Sequence, residues 1–320
     1  MSIVITGGAG FIGSCIVRTL NDAGFDDLYV VDDIGQTEKW KHLVNKRYLD
    51  YFHKDHFLDR LSELSDVEAV IHMGACSSTT ETDFDYLYSN NFEYTKSLWR
   101  YCTESRVPFI YASSAATYGD GSWGFDDNMD IGKLRPLNGY GYSKQLFDLW
   151  SRKQKDTPPQ YAGLKFFNVY GPNEDCKDDM ASVIYKSFNQ IGQSGKVRLF
   201  RSHRPDYGDG GQLRDFIYVK DICSVISWLL DNKDVSGLFN VGTGKARSFA
   251  DLAKATFRAM GVREDIEYID MPEHLRGKYQ YFTEAKMDKL RQAGYSKPFY
   301  SLEDGVENYV KEYLMKDEVY

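Results

Sequence analysis

The sequence predicts a doubly wound α/β fold, a parallel sheet covered by helices on both faces, with a smaller, mostly C-terminal second domain. Three observations carry that prediction. Short β-branched runs alternate with amphipathic helical patterns through the first two thirds of the chain, the order that builds parallel strands with crossover helices. Runs such as VIHM and FIYA are apolar without alternation, as strands buried on both faces must be. A glycine-rich turn, Gly7-Gly8-Ala9-Gly10-Phe11-Ile12-Gly13, closes the first strand and opens the first helix.

Taken in order, the expected strands are Ile3 to Thr6, Leu28 to Asp32, Ala69 to Met73, Phe109 to Ala112 and Gly163 to Phe167. Between them lie amphipathic stretches such as Ile12 to Asn21, Tyr88 to Glu104 and Tyr142 to Lys153. After Asn168 the texture changes, and residues 172–215 read as a loop-rich, charged stretch that includes SHRPDYGDGGQLRD. A helix-like run from Ile222 to Leu230 leads to LFNVGTG, which reads as one more strand returning to the sheet. From Ser248 onward helical patterns alternate with polar turns. The expected division is 1–167 plus about 212–241 for the larger domain, and about 168–211 plus 242–320 for the smaller. No internal repeat or low-complexity segment is visible.

Composition narrows the function classes. The 320 residues carry 39 Lys plus Arg against 47 Asp plus Glu, a net charge of -8, which argues against nonspecific binding of nucleic acid or of an anionic membrane. Such a balance still permits a small anionic ligand in one local pocket. Hydrophobic residues at 42% and charged residues at 27% are those of an ordinary globular protein, long enough to bury its own core. The five scattered cysteines (Cys15, Cys76, Cys102, Cys176, Cys223) form no Cys-x-x-Cys pair and no metal spacing with histidine, so reduced thiols and no metal are expected. MSIVITGGAGFIG lacks a basic n-region, and no run of about 18 apolar residues occurs, so neither a signal peptide nor a spanning helix is expected. The expected location is the cytoplasm.

Gly7, Gly10 and Gly13 have the G-x-x-G-x-x-G spacing that gives a tight turn, close backbone approach to a pyrophosphate, and close helix–strand packing. The helix behind it offers unpaired N–H groups to the anion. Asp32 and Asp33 end the next strand, where a Rossmann-type fold meets the adenosine ribose. Asp32 accepts from a 2′-hydroxyl and repels a 2′-phosphate, which leans to NAD, while Lys39 and Lys54 offer positive charge that offsets the repulsion.

Tyr140 and Lys144 form Y-x-x-x-K and share a helix face. A phenol titrates near ~10, so a tyrosine base needs the neighbouring ammonium and a positive nicotinamide ring to favour phenolate. Ser113-Ser114, at the C-terminal end of the fourth expected strand, lies at the sheet edge where such folds act, and Ser114 suits a hydrogen bond to the reacting oxygen. His72 lies in a buried-strand pattern and reads as a core histidine. Arg214 suits a diphosphate through its fork of donors; a surface pair with Asp215 is the plain alternative.

TGGAGFIG, YASSAATYG, YGYSK and FNVYGP together resemble the extended short-chain dehydrogenase/reductase family over essentially the whole chain. HMGACSSTTE (72–81), FNVYGP with its following K-x2-MASV (167–183), RDFIYVKDI (214–222), FNVGTG (239–244) and LRGKYQYFTEA (275–285) resemble more narrowly its ADP-heptose 6-epimerase branch. The resemblance implies an isomerase that inverts C6″ of ADP-heptose for the lipopolysaccharide inner core. It implies NADP, one per subunit, with NAD left open, and a homo-oligomer of which a pentamer is one form. Phe11, Ile12, Asp32, Asp33, Lys39, Lys54, Met73, Gly74, Ala75, Cys76, Ser77, Asn90, Lys144, Val169 and Lys177 match the family's cofactor positions. Ser114, Asn168, Asp179, Lys186, Phe200, Arg201, Ser202, His203, Arg214 and Tyr279 fall at substrate positions. Three departures touch substrate contact: Asp179 stands for a small serine, Lys186 for a histidine, and the loop before Arg214 is longer.

Inverting a carbon without an acidic hydrogen requires oxidation first, and the carbinol oxygen then lies on different sides in the two half-reactions. Two acid/base groups are therefore expected: Tyr140 and, by resemblance, Lys177. Lysine suits that role only with a depressed pKa, and Asp175, Asp178 and Asp179 oppose it if they face it. Another nucleotide-sugar epimerase is the nearest alternative. A 4,6-dehydratase is disfavoured because Ala115, Ala116 and Thr117 follow Ser114 without an acidic residue. A non-catalytic dinucleotide-binding regulator is disfavoured because Tyr140, Lys144 and Ser114 are all present.

Overall fold

The computed structural model describes residues 2–276 and 280–320. Seven parallel strands form the central sheet in the order β10-β6-β5-β4-β1-β2-β3, where β1 is Ser2–Thr6, β2 Leu28–Asp32, β3 Asp50–His53, β4 Val67–His72, β5 Phe109–Ser114, β6 Tyr161–Phe166 and β10 Gly237–Val241. The strand order reverses beside β1, which opens a crevice at the carboxyl ends of the strands.

Successive side chains explain the two covered faces. Ile3 and Ile5 pack with Cys15, Ile16, Ile222 and Ile226, which come from α1 (Phe11–Asp22) and from the helix Val219–Asp231. Val4 points the other way, into a cluster with Phe57, Leu98, Trp99 and Phe147. Those four residues lie on α2 (Lys54–Arg60), on the helix Tyr94–Glu104 and on the helix Gly139–Ser151. We label α3 Phe84–Leu87, α4 Tyr94–Glu104, α5 Gly139–Ser151, α6 Val183–Ser194, α7 Val219–Asp231 and α8 Phe249–Met260.

Differences from the sequence-based expectation have local causes. β3 was not expected, because DYFH is four residues long and sits at the sheet edge with Asp50 exposed. Ser114 therefore ends the fifth strand in chain order, not the fourth. The helix expected from Tyr88 begins with a π-type turn over Tyr88–Glu93 before α4 continues it. The stretch 172–215 contains a helix, α6, capped by the Ser182 side chain on the Tyr185 N–H, and it also contains β8 (Val197–Phe200).

Beyond the main sheet, β7 (Asn168–Tyr170) and β9 (Leu213–Tyr218) pair in parallel, and β11 (Ala246–Ser248) joins β9 antiparallel. A second pair joins β8 to β12 (Ile266–Ile269). Ile191 of α6 and Ala253 and Phe257 of α8 bury a small separate core with Val197 and Leu199. Ser248 and Asp251 cap the start of α8 reciprocally, and Gly261 ends it in the left-handed conformation. No helix among the described residues is long and apolar enough to cross a membrane.

Candidate active site

The glycine turn is built by contacts that exclude side chains. Gly7 has φ +66°, and a Cβ there would come within 2.6 Å of the Gly74 backbone nitrogen. A Cβ on Gly13 would overlap the Gly7 carbonyl, so α1 approaches the turn as closely as backbones allow. Asp32 locks the other side: its Oδ2 accepts the Ala9 N–H at 2.8 Å, and its Oδ1 accepts the Asp33 N–H and the Lys39 ammonium, each at 2.7 Å. Lys54 reaches Asp55 at 2.7 Å and lines the same end of the cleft with Asp33, Lys39 and Asn90.

From that end an open cleft of about 1360 Å³ runs along Gly10, Phe11, Ile12, Met73 to Ser77 and Lys177. It continues into a cleft of about 1510 Å³ lined by Ser114, Tyr140, Lys144, Asn168, Val169, Lys177 and Arg214. A narrow glycine turn, an N-terminal helix end without a competing side-chain cap, and a carboxylate–lysine pair at the far end fit a nicotinamide dinucleotide. Among the described residues no group of three or more His, Cys, Asp or Glu is placed to hold a metal ion, and all five cysteines are free.

At the catalytic end, Ser113 donates to the buried Asp148 at 2.7 Å, which commits its hydroxyl to the core. Ser114 instead meets the Tyr140 phenol and accepts the Ala116 N–H at 3.1 Å. Burial pushes the Tyr140 phenol up, against the Ser114 bond that pulls it down. Lowering toward a working base is thus left to the ligand's charge. Lys144, one turn along α5, is buried; the loss of water pulls it to about 8, with Asp148 opposing. On the other wall, burial also lowers Lys177, against the charge of Glu174. The expected opposition from Asp175 does not arise, because Asp175 faces His42 at 2.9 Å. Glu174 accepts the Ser182 N–H at 2.6 Å and its hydroxyl at 2.7 Å, fixing the segment Asp175–Met180 to the start of α6.

At the far end Arg214 is buried, lies over the Phe249 ring at 5.7 Å and donates to the carbonyls of Leu213 and Gln280. Asp215 turns away and accepts the N–H groups of Thr243, Gly244 and Ala285, so the surface Arg214–Asp215 pair does not exist. Lys186 and Phe200 line a neighbouring pocket of about 900 Å³ that shares Val183 and Phe249 with the main cleft. Arg201, Ser202 and His203 are not brought to these walls. Arg201 faces Asp270 at 3.3 Å, Ser202 donates to the Arg204 carbonyl, and His203 meets the Tyr281 hydroxyl at 2.7 Å. Tyr279 lies outside the described residues, as does the side chain of Asp179.

His72 is the core histidine expected: burial pushes it down to about 3, and its ring nitrogens lie 2.6 Å and 2.9 Å from the hydroxyls of Thr6 and Thr95. Two supporting residues escaped the sequence reading. Asn91 accepts the Cys76 N–H at 2.8 Å and donates to the Cys76 carbonyl and to Ser143, tying the cofactor wall to α5. Asp148 continues the Tyr140, Lys144 spacing by one more turn, and that repeat of four was its signal.

Comparisons with known proteins point to one family. A profile of the NAD dependent epimerase/dehydratase family matches residues 3–242. The chain is 60% identical over 315 residues, 97% of each sequence, to an ADP-L-glycero-D-manno-heptose-6-epimerase of Nitratidesulfovibrio vulgaris (strain DP4). It is 50% identical over 330 residues, 99% of each, to the protein of that name from Fusobacterium nucleatum. The crystal structure of Helicobacter pylori ADP-L-glycero-D-manno-heptose-6-epimerase superposes with a TM-score of 0.82 at 27% identity, covering 97% of this chain and 95% of that one.

Proposed function

This chain belongs to the NAD dependent epimerase/dehydratase family, and on that premise we propose that it interconverts ADP-D-glycero-β-D-manno-heptose and ADP-L-glycero-β-D-manno-heptose by transient oxidation at C6″. It is an isomerase that uses a nicotinamide dinucleotide. The observation that carries the reading is that Tyr140 and Lys177, from α5 and from the segment after β7, line one cleft continuous with the glycine turn.

When bound, the dinucleotide supplies the acceptor and then the donor of a hydride. Tyr140 takes the C6″ hydroxyl proton while Ser114 donates to the same oxygen, and Lys144 stabilises the phenolate and holds the nicotinamide ribose. After the ketone turns over in the pocket, the oxygen faces the other wall, and Lys177 exchanges the proton there. Arg214 holds the substrate diphosphate through its fork of donors. The nucleotide is NADP, because Lys39 beside Asp32 supplies the positive charge that a 2′-phosphate needs. The enzyme works in the cytoplasm as a homo-oligomer and serves lipopolysaccharide core synthesis. Residues 1–167 plus about 212–241 hold the nucleotide, and about 168–211 plus 242–320 hold the sugar.

The test is incubation of the purified protein, with no added nucleotide, with ADP-D-glycero-β-D-manno-heptose in deuterated water. NMR should show the L-glycero epimer without deuterium at C6″, and mass spectrometry of the denatured protein should release NADP. No conversion, even with added NADP or NAD, refutes the substrate. In Tyr140→Phe/Lys177→Met, retained turnover refutes the two-base scheme.

A further inference from the structure

We infer that His42, held as a doubly protonated imidazolium, is a positioning residue that clamps the glycine turn to the segment bearing Lys177. The functional half of this inference rests on the role proposed for Lys177; the protonation state rests first on hydrogen-bond geometry.

His42 lies in the 3₁₀ turn Glu38–Leu43 that follows β2, and its ring is 0% exposed. Nδ1 lies 2.9 Å from the carbonyl oxygen of Ala9, and Nε2 lies 2.9 Å from Oδ1 of Asp175. A carbonyl has no proton to give. Although burial raises it, Asp175 is held below the ordinary carboxylate range by the His42 bond and charge, so it too only accepts. Both ring nitrogens must therefore donate, and only the imidazolium does so. His72 is the internal contrast. It is equally buried, but its two partners are hydroxyls that can donate or accept, so a neutral ring is satisfied there. Burial drives both rings toward neutrality; at His42 the bonds to Asp175 and Cys176 outweigh it and hold the group at about 9. Among the described residues of the 175–180 segment, the Asp175 carboxylate and the Cys176 thiol face His42, and the glycine turn offers only its carbonyl. On its own element Lys41 pairs with Glu38.

The consequence is a line of contacts across the cleft. Asp32 holds the Ala9 N–H, the Ala9 carbonyl holds His42, and His42 holds Asp175. Asp175 opens the turn in which the Lys177 N–H closes on the Glu174 carbonyl at 3.0 Å. The Lys177 ammonium then lies 5.7 Å from the ring of Phe11, the residue that opens α1 behind the glycine turn. Movement of the turn on receiving phosphate is thus transmitted to the ammonium that exchanges a proton, and the reverse.

The first arm of the test is ¹⁵N-histidine NMR of the protein as purified, with its bound nucleotide, at pH 7.5. His42, assigned by the resonances lost in His42→Gln, should show two protonated ring nitrogens at a pH where an ordinary histidine is mostly neutral. A neutral ring overturns the inference whatever the kinetics of the variants show. The second arm is steady-state kinetics. His42→Gln should lower kcat by about 10–100-fold, as small displacements of a reacting group do, while the substrate KM stays within about threefold. Asp175→Asn, which keeps an acceptor oxygen but loses the charge, should fall between His42→Gln and wild type. In the double variant with Lys177→Met, the His42 change should add no further loss, because it acts through Lys177. Multiplied losses in a Lys177→Met protein that is itself impaired overturn the positioning role alone. Full turnover in Lys177→Met overturns the two-base reading, and with it any positioning of that residue.

Discussion

Replacing Asp148 with asparagine removes the counter-charge of a lysine that has no route to water. Lys165 and Asp148 are both fully buried, with 2.9 Å between Nζ and Oδ2. Without the carboxylate, Lys165 keeps the Thr117 hydroxyl at 2.6 Å and the Tyr118 ring at 5.1 Å, and neither carries a charge. Removing one member of a buried ion pair costs about 3–5 kcal/mol. The bonds that Ser113 and Tyr111 donate to the Asp148 carboxylate are worth about 1.5–3 kcal/mol each, and asparagine keeps part of them. For a chain of 320 residues this loss corresponds to a thermal midpoint lower by about 4–8 °C. A second effect reaches the active site. Asp148 opposes the burial that pulls Lys144 to about 8, so Asp148→Asn should lower Lys144 further and move the alkaline limb of the pH–rate profile to lower pH. Calorimetry and kcat measured from pH 6 to 10 read both effects. Asp148→Leu/Lys165→Met, which removes both members of the pair, should recover most of the lost stability. A single variant within about 1 kcal/mol of wild type, or a double variant no better than the single, would refute the reasoning.

Gly13→Ala drives a methyl into the Gly7 carbonyl, so it should cost about 1–3 kcal/mol and release the nucleotide, measured as the absorbance ratio of the purified protein; full nucleotide content would show that the turn yields. Lys39→Ala should weaken NADP at least about tenfold more than NAD by calorimetric titration, since only the 2′-phosphate needs that charge; equal losses would sink the preference. His42 predicts a pH window. Its folded value of about 9 lies above the ordinary 6.5, so its stabilisation is complete below 6.5 and fades as pH rises through 9. The full amount is about 3 kcal/mol. The stability difference between wild type and His42→Gln, taken from denaturant curves at pH 6, 8 and 10, should shrink across that range, and a constant difference would count against an imidazolium.

The strands that cross the middle of the sheet were legible because burial on both faces leaves an unbroken apolar run, as in Val70 to His72 and Phe109 to Ala112. β3, β7, β8, β11 and β12 are three or four residues long, too short for any periodicity to stand out. α6 was hidden because its buried positions, Ile184, Ser187 and Ile191, are diluted by Lys186, Asn189, Gln190 and Gln193. Site residues were readable where local spacing makes the geometry, as with Gly7, Gly10 and Gly13 or with Tyr140 and Lys144. His42 carries no such signal: its two partners lie 33 and 133 residues away in the chain, and only the fold brings them together. The resemblance pointed to Lys177 but was silent on the partner of Asp175, which is His42.

Three lysines near the cleft show how one chain separates architecture from chemistry. Lys165 is fully buried and matched to Asp148, so its charge is satisfied in the protein alone, and its work is to hold β6 to α5. Lys144 is nearly as buried and Lys177 half so, but among the described residues neither has a carboxylate within ion-pair distance, and burial lowers both. Holding such charges without counter-ions destabilises the free protein, and the cost is offset when anionic groups arrive: a diphosphate, a ribose-bound phosphate or a phenolate. A chain with net charge -8 therefore keeps its uncompensated positive charge where a nucleotide and a nucleotide sugar must meet. Adding an acidic partner to Lys144 or Lys177 would improve the fold and raise again the ammonium that burial now lowers.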